Sequence, residues 1–576
     1  MNYIKHAFIG IFIALCTFSS FAVPAHPGII TVTQPDGTQL RIKLIGDEFM
    51  HFTVTDRGEL LYEEEDGYYS YATVNEDGNV VSTGINATSD TKNINIINIK
   101  DLDLKQIAEK RGVNERRNWK TFSTARSEAP TKAPQTGYGL SSKNYPRTGS
   151  PKGLIIVVRF SDVDFTVPNP EQYFNDLINK QGFTDYNATG SALDYFTEQS
   201  RGLFTPDFDV LGPVTLPSPR SFYGGNGPSG SDQNPHLMVV HAIGLLDAEV
   251  DFNQYDTDGD GVIDNVYVFY AGGGEADGGG ADCVWPHAWD IRHARVNLYV
   301  DDVEVGPYAC SNEWSTYTRM PDGIGTFVHE FSHVMGLPDL YDTQYTHNGT
   351  PGSYSVIDNG CYNNNSRTPP NYGAFERNAL GWSEPIILDH PMTVTLDPIS
   401  EGQFALIPTE RDTEFFLLEN RQWYGWDEYI PYHGMLIWQV DFDQYIFDYN
   451  IVNNDANHPR VNIVKANNWP DNTSYTALSG WPFPGAFYYT DFTANTFPAL
   501  QTWDGIPIDL PITEIDEQDE KITFNVAGGD AGIEQIIADN EIVPEYYNLQ
   551  GIKIKKPAAG SVVIERCGSS VRKIKI

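Results

Sequence analysis

The sequence predicts a multidomain protein: a central α/β domain, a β-rich module ahead of it, and a second β module, read as a sandwich, behind it. Three observations carry this. At 576 residues the chain is too long for one ordinary core. The apolar runs Leu154-Ile155-Ile156-Val157-Val158 and Val266-Tyr267-Val268-Phe269-Tyr270 suit strands buried on both faces, and they alternate with helical stretches. Over residues 392–526 helical periodicity disappears, and strand runs alternate with turns.

Taken in order, residues 1–22 fit a secretory signal peptide. Lys5 precedes an apolar run from Ala7 to Leu15, and Ser20-Phe21-Ala22 offers a small-residue cleavage site. That run is too short to span a bilayer, and no later segment is long and apolar enough. Residues 23–125 form the N-terminal module. Ile29-Ile30-Thr31-Val32, Leu40-Arg41-Ile42-Lys43-Leu44 and Tyr68-Tyr69-Ser70-Tyr71 read as strands between turns at Pro35-Asp36-Gly37 and Glu65-Asp66-Gly67. A charged helical stretch follows over 101–119. Residues 126–150 are rich in Pro, Ser, Thr and Gly, the composition of an exposed, protease-sensitive linker. A β module joined through such a linker to an exported α/β domain reads as a propeptide.

The α/β domain is expected over 151–385, with helices near 171–178 and 191–199 and a glycine-rich loop over 272–280. The β-sandwich is expected over 386–527, from runs such as Phe415-Phe416-Leu417-Leu418 and Met435-Leu436-Ile437-Trp438. Residues 528–576 form a tail ending in the basic Arg572-Lys573-Ile574-Lys575.

A net charge of −39 and a pI near 4.5 argue against a nucleic-acid or anionic-membrane partner. The same acidity supplies ligands for a cation. Cys16 falls in the signal peptide. Cys283, Cys310, Cys361 and Cys567 remain, and in an exported chain they permit disulfides. Cys283 with Cys310 is the preferred pair, with free thiols the alternative.

Chemistry concentrates in His329-Glu330-Phe331-Ser332-His333-Val334-Met335-Gly336-Leu337-Pro338-Asp339. The two histidines stand one helical turn apart, so both imidazoles leave one face of a helix and can grip one Zn²⁺. Glu330 lies beside them, where a general base for an attacking water is needed. Gly336 permits a sharp left-handed reversal. That reversal can return Asp339 as third ligand; Glu376, on an expected helix over 374–380, is the alternative. Three ligands with an open fourth position make a catalytic site rather than a structural one. The central domain is therefore expected to be an α/β zincin, metzincin-like in its offsets.

A second cluster, Asp256-Thr257-Asp258-Gly259-Asp260-Gly261-Val262-Ile263-Asp264, sets Asp256, Asp258, Asp260 and Asp264 at alternate positions around a Gly-allowed turn. Ca²⁺ favours such an all-oxygen cage. The position where an EF-hand carries its bidentate Glu is Tyr267, so a structural Ca²⁺ loop is expected rather than a helix–loop–helix switch.

The block from Gly325 through Asp342 resembles the immune inhibitor A-type family of secreted bacterial zinc metallopeptidases. Ser191-Ala192-Leu193-Asp194-Tyr195-Phe196, the Tyr255–Asp264 loop and Leu417-Leu418-Glu419-Asn420-Arg421-Gln422 are similar to the same family. The resemblance implies a secreted zinc endopeptidase acting on proteins or peptides and made as a zymogen, with Glu330 as base and His329 and His333 as ligands. One departure is Ile357 in Tyr354-Ser355-Val356-Ile357-Asp358-Asn359-Gly360, where metzincin-like enzymes place a Met beneath the metal. Tyr372 is a candidate donor to the developing oxyanion, with packing as its other reading. Tyr546-Tyr547-Asn548-Leu549-Gln550-Gly551-Ile552-Lys553 resembles C-terminal sorting tails that point to type IX export. That places the protein outside a Gram-negative cell or on its surface, after contact with secretion machinery. The competing functions are a catalytically inactive adhesion or binding protein that keeps the fold, and a zinc hydrolase acting on a non-peptide bond.

Overall fold

The structure is a computed structural model that describes residues 21–88, 96–113, 139–141, 145–227, 230–469 and 473–529, and in the tail 545–547, 553–554, 562–567 and 570–575. It divides into a unit Met1–Gly529 and a unit Asp530–Ile576.

The central domain is built on a mixed sheet whose strands run in the order Phe21–Ala22, His287–Asp290, Pro307–Ser315, Val266–Gly273, Lys152–Arg159, Asp207–Thr215. The last four are mutually parallel, while His287–Asp290 and Phe21–Ala22 add antiparallel at one edge. The expectation of strands buried on both faces holds residue by residue. Ile155 and Val157 join one core with Phe327 and Phe331, and Leu154, Ile156 and Val158 join another with Met238, Val239 and Ile243. Alternate side chains thus pack on helices Gly325–Val334 and His236–Leu246, giving the layered mixed α/β architecture.

Residues 30–86 form a six-stranded antiparallel meander in sequential order. Within the expected helical stretch the described residues form the helix Leu104–Lys110, which buries Ile107 and Ala108; residues 114–119 lie outside the described ones. Asp103 caps it by accepting from the Gln106 N–H at 2.9 Å. The expected linker is only partly described. Its residues 139–141 are not exposed: Leu140 and Ser141 are buried, and Ser141 donates through backbone N–H and Oγ to the Gly336 carbonyl at 2.8 and 3.0 Å. A carbonyl at a helix end needs a donor, and this segment supplies it.

Behind the central domain, a five-stranded sheet of Ile386–Ile387, Phe404–Pro408, Glu414–Arg421, Gly434–Asp441 and Val461–Ile463 shares one apolar core with a three-stranded sheet of Met392–Leu396, Lys521–Val526 and Ile512–Gln518. The described tail is a separate antiparallel sheet containing Glu545–Tyr547, Lys553–Ile554, Val562–Cys567 and Ser570–Lys575. No helix among the described residues is long and apolar enough to cross a membrane.

The preferred disulfide does not form. Cys283, Cys310 and Cys361 are free and buried. Cys310 lies in register with His287, its Sγ 3.5 Å from that residue's Nδ1, while the Cys283 thiol donates to the Gly279 carbonyl at 3.0 Å. Each sulfur is satisfied locally as a small buried hydrophobe.

Candidate functional site

The helix Gly325–Val334 is buried along its whole length. Its start is wedged against the loop 361–366: the Gly325 N–H donates to the Ser366 carbonyl at 2.7 Å, and a Cβ at Gly325 would overlap the Cys361 carbonyl. Its end reverses at Gly336, φ +102°, with Leu337 N–H donating to the Ser332 carbonyl at 3.0 Å. This turn also orients one histidine. His333 Nδ1 donates to the Leu337 carbonyl at 2.8 Å, and His329 Nδ1 donates to the Val356 carbonyl at 2.8 Å. These tautomers follow from the hydrogen-bond network.

With both ring protons committed to carbonyls, the two Nε2 atoms present lone pairs to each other at 3.1 Å. Asp339 Oδ1 joins them, 3.3 Å from His329 Nε2 and 3.2 Å from His333 Nε2, and it has no hydrogen-bond partner. Three acceptors converging in a fully buried place repel one another unless a cation sits among them. The donor set, two imidazoles and a carboxylate, suits Zn²⁺. Ionisation agrees with ligation. Burial works against the Asp339 charge, and it takes positive charge at the imidazoles, or a cation held between them, to keep that carboxyl below its usual range. Burial in turn pushes His333 down toward its neutral form, with Asp339 opposing.

Asp339 is aimed by a residue the sequence did not suggest. Asn450 accepts from the Asp339 N–H at 2.8 Å and donates through Nδ2 to Asp339 Oδ2 at 2.6 Å, leaving Oδ1 for the histidines. The alternative ligand, Glu376, is not brought to the pair. Its Oε1 accepts from Ser355 Oγ at 2.7 Å, and burial, opposed by that hydroxyl, raises its carboxyl to about 7. Ile357 is fully buried, and its carbonyl accepts from the Leu340 N–H at 2.9 Å, so this turn still ties the ligand loop down.

Tyr372 is a packing residue. Its hydroxyl meets Ser332 Oγ, whose own proton goes to the Val328 carbonyl, and its ring lies against Tyr195 and Trp382. Tyr341 is the phenol that reaches the cleft, and the sequence reading passed it over although it lies inside the motif. Glu330 Oε1 accepts from the Val23 N–H at 2.9 Å, and Tyr341 donates to the Ala22 carbonyl at 2.7 Å. The chain from Phe21 to Pro24 thus runs through the site, further held by Trp285 Nε1 on the Val23 carbonyl at 3.0 Å and Tyr362 on the Pro24 carbonyl at 2.6 Å.

In the acidic loop, Asp256, Asp258 and Asp260 each bring an oxygen within 4.8 Å of the others. Asp264 does not complete that group: it accepts from the Thr257 hydroxyl and N–H, and burial raises its carboxyl to about 6 against those bonds. Gly261 sits at φ +89°, the sharp turn such a loop needs. Tyr267 is buried in the adjacent strand, its hydroxyl on Ser311 Oγ at 2.9 Å.

Residues 161–382 match the family model described as immune inhibitor A peptidase M6, catalytic domain. "Immune inhibitor A" of Bacillus thuringiensis subsp. alesti is 30% identical over 34% of this chain and 32% of its own length. "Pre-pro-metalloprotease PrtV" of Vibrio cholerae serotype O1 (strain M66-2) is 30% identical over 34% of this chain and 24% of its own. The chain therefore spans about a third or less of these relatives, all of it shared through one segment. The family resemblance read from the motif is borne out. A Bacillus and a Vibrio source together do not support the narrower assignment to a Gram-negative bacterium.

Proposed function

Because residues 161–382 match the immune inhibitor A peptidase M6 catalytic-domain model, we propose that this chain is a secreted zinc-dependent endopeptidase made as a zymogen. The observation that carries the reading is the convergence of His329, His333 and Asp339 beside a glutamate that faces a backbone amide nitrogen. The three would hold Zn²⁺, and Glu330 is the general base. Zn²⁺ in such a site supplies Lewis-acid polarisation and lowers the pKa of water. Glu330 takes a proton from the attacking water and delivers it to the leaving nitrogen, the atom it already faces. Water is the nucleophile, so no acyl-enzyme forms. Casein hydrolysis that disappears with a chelator and returns with Zn²⁺ is the expected result; no hydrolysis by the trypsin-treated chain would reject the reading.

Asn450→Ala should weaken zinc binding about 10- to 100-fold, because Asp339 loses the bonds that hold its carboxylate and its backbone N–H. Competition against a chromophoric chelator measures this, and an unchanged affinity would show that the clamp is irrelevant to the metal.

Latency is supported by what fills the cleft. Between residues 23 and 151 there is no cysteine, so no thiolate can block the metal. Backbone does the blocking: Val23 sits on Glu330, and the Val23 and Pro24 carbonyls are held by Trp285 and Tyr362. Removal of the leader after Ala22 would turn that N–H into an α-ammonium facing the same carboxylate. The meander over 30–86 then serves as the propeptide body, residues 386–527 as a β-sandwich behind the catalytic domain, and the tail as an export signal.

The acidic loop is a structural Ca²⁺ site formed by Asp256, Asp258 and Asp260, with Asp264 turning in once the cation is present. Ca²⁺ at about 100 times its Kd should stabilise the native protein by ~2.7 kcal/mol. Thermal melts of zinc-loaded protein check this; the same midpoint without Ca²⁺, or an equal shift in Asp258→Ala, would remove the site.

A further inference from the structure

We propose that Tyr341 is a catalytic residue, the hydrogen-bond donor to the scissile carbonyl oxygen. This rests on the endopeptidase reading above and adds the group that reading lacks. The segment in the cleft is arranged as a substrate is. Phe21–Ala22 lies antiparallel to the edge strand His287–Asp290, with Ala22 opposite His287, the way an extended peptide adds to an exposed sheet edge. Within this segment one amide, between Ala22 and Val23, meets both reactive groups. Its N–H donates to Glu330 Oε1 at 2.9 Å, and its carbonyl oxygen accepts from the Tyr341 hydroxyl at 2.7 Å. Glu330 is thus on the side of the nitrogen that leaves, and Tyr341 on the side of the oxygen that gains charge. The next two amides along the chain are held by non-acidic anchors, Trp285 Nε1 on the Val23 carbonyl and Tyr362 on the Pro24 carbonyl.

The phenol is placed rigidly. It lies two residues past Asp339 in the loop that follows Gly336, and the intervening Leu340 N–H is bonded to the Ile357 carbonyl at 2.9 Å. Its ring is 4% exposed. Donors fixed in a water-poor site act most strongly where charge develops. As the water oxygen bonds to the carbonyl carbon, the C=O π pair moves onto oxygen, and Tyr341 keeps its proton while donating a hydrogen bond to that oxygen. The C–N bond then breaks, Glu330 passes the water's proton to nitrogen, and the products are a carboxylic acid and an amine.

The test compares full-length wild type and Tyr341→Phe, both after limited trypsin treatment. Expected for the variant is a fall in kcat of about 10²- to 10³-fold with KM changed less than about threefold and zinc content retained. A phosphonate peptide, whose tetrahedral P–O⁻ imitates the addition species, should lose affinity in proportion to kcat/KM, while a product peptide should bind as before. That titration counts only folded sites, so it also covers a partly unfolded variant. A variant within about threefold of wild type in kcat, or one that loses zinc, overturns the proposal and leaves the endopeptidase reading standing. A wild-type protein that cleaves no peptide overturns both.

Discussion

Glu330→Gln is expected to lower peptidase activity by about 10²- to 10⁴-fold while the protein keeps about one equivalent of zinc. The glutamine preserves shape and leaves His329, His333 and Asp339 in place, so only proton transfer is removed. The loss corresponds to ~3–5 kcal/mol in the barrier. The Gln carbonyl can still accept from the Val23 N–H, so the N-terminal segment should stay docked. Metal analysis and single-turnover kinetics on the same preparation separate the two effects. Substantial peptidase activity in a zinc-loaded Glu330→Gln protein would sink the mechanism.

Limited trypsin treatment of the full chain is expected to raise activity by about tenfold or more, since the uncut protein exposes the site only in the minor fraction of molecules whose cleft is empty. Arg116-Arg117, near the end of the module, and Arg126 and Lys132, in the linker, offer basic cut sites ahead of the catalytic domain. Thiol-modifying reagents should have no such effect: Cys283, Cys310 and Cys361 are buried, and burial pushes the Cys283 thiol up to about 12. Mass spectrometry of the cut chain, paired with a variant carrying Gln at all four positions, assigns the gain to these sites. An uncut chain already at full activity, with nothing gained on cutting, would remove the zymogen assignment.

The elements that were legible are those written in local pattern. Helix Gly325–Val334 and its stop at Gly336 follow from apolar spacing and one left-handed position. Strand Lys152–Arg159 follows from an unbroken β-branched run. The helix expected near 191–199 forms as Ala192–Gln199, closed by a capping box of Ser191 and Asp194. The errors share a cause. Pairing Cys283 with Cys310 needed knowledge of which strand each faces, and the burial of residues 139–141 could not be foreseen without the Gly336 carbonyl that Ser141 satisfies. Tyr372 reads from the sequence as the candidate donor, and only the fold shows its hydroxyl on Ser332 and the Tyr341 hydroxyl on the Ala22 carbonyl.

By itself the sequence determined the chemistry available: two imidazoles one turn apart, a carboxylate beside them, a glycine that lets the chain turn back, and an acidic loop. Those are short-range facts, set by helix pitch and by the φ that glycine tolerates. Tertiary structure alone decided which carboxylate joins the histidines, which phenol faces the cleft and what occupies it. Asp339 prevails over Glu376 because Asn450, 111 residues away, holds one oxygen and the backbone amide. Val23 reaches Glu330 across 307 residues because a two-residue strand adds to the edge of the central sheet. Contacts at such separations leave no local periodicity, since the chain pays their closure entropy once and packing, not spacing, selects the partner.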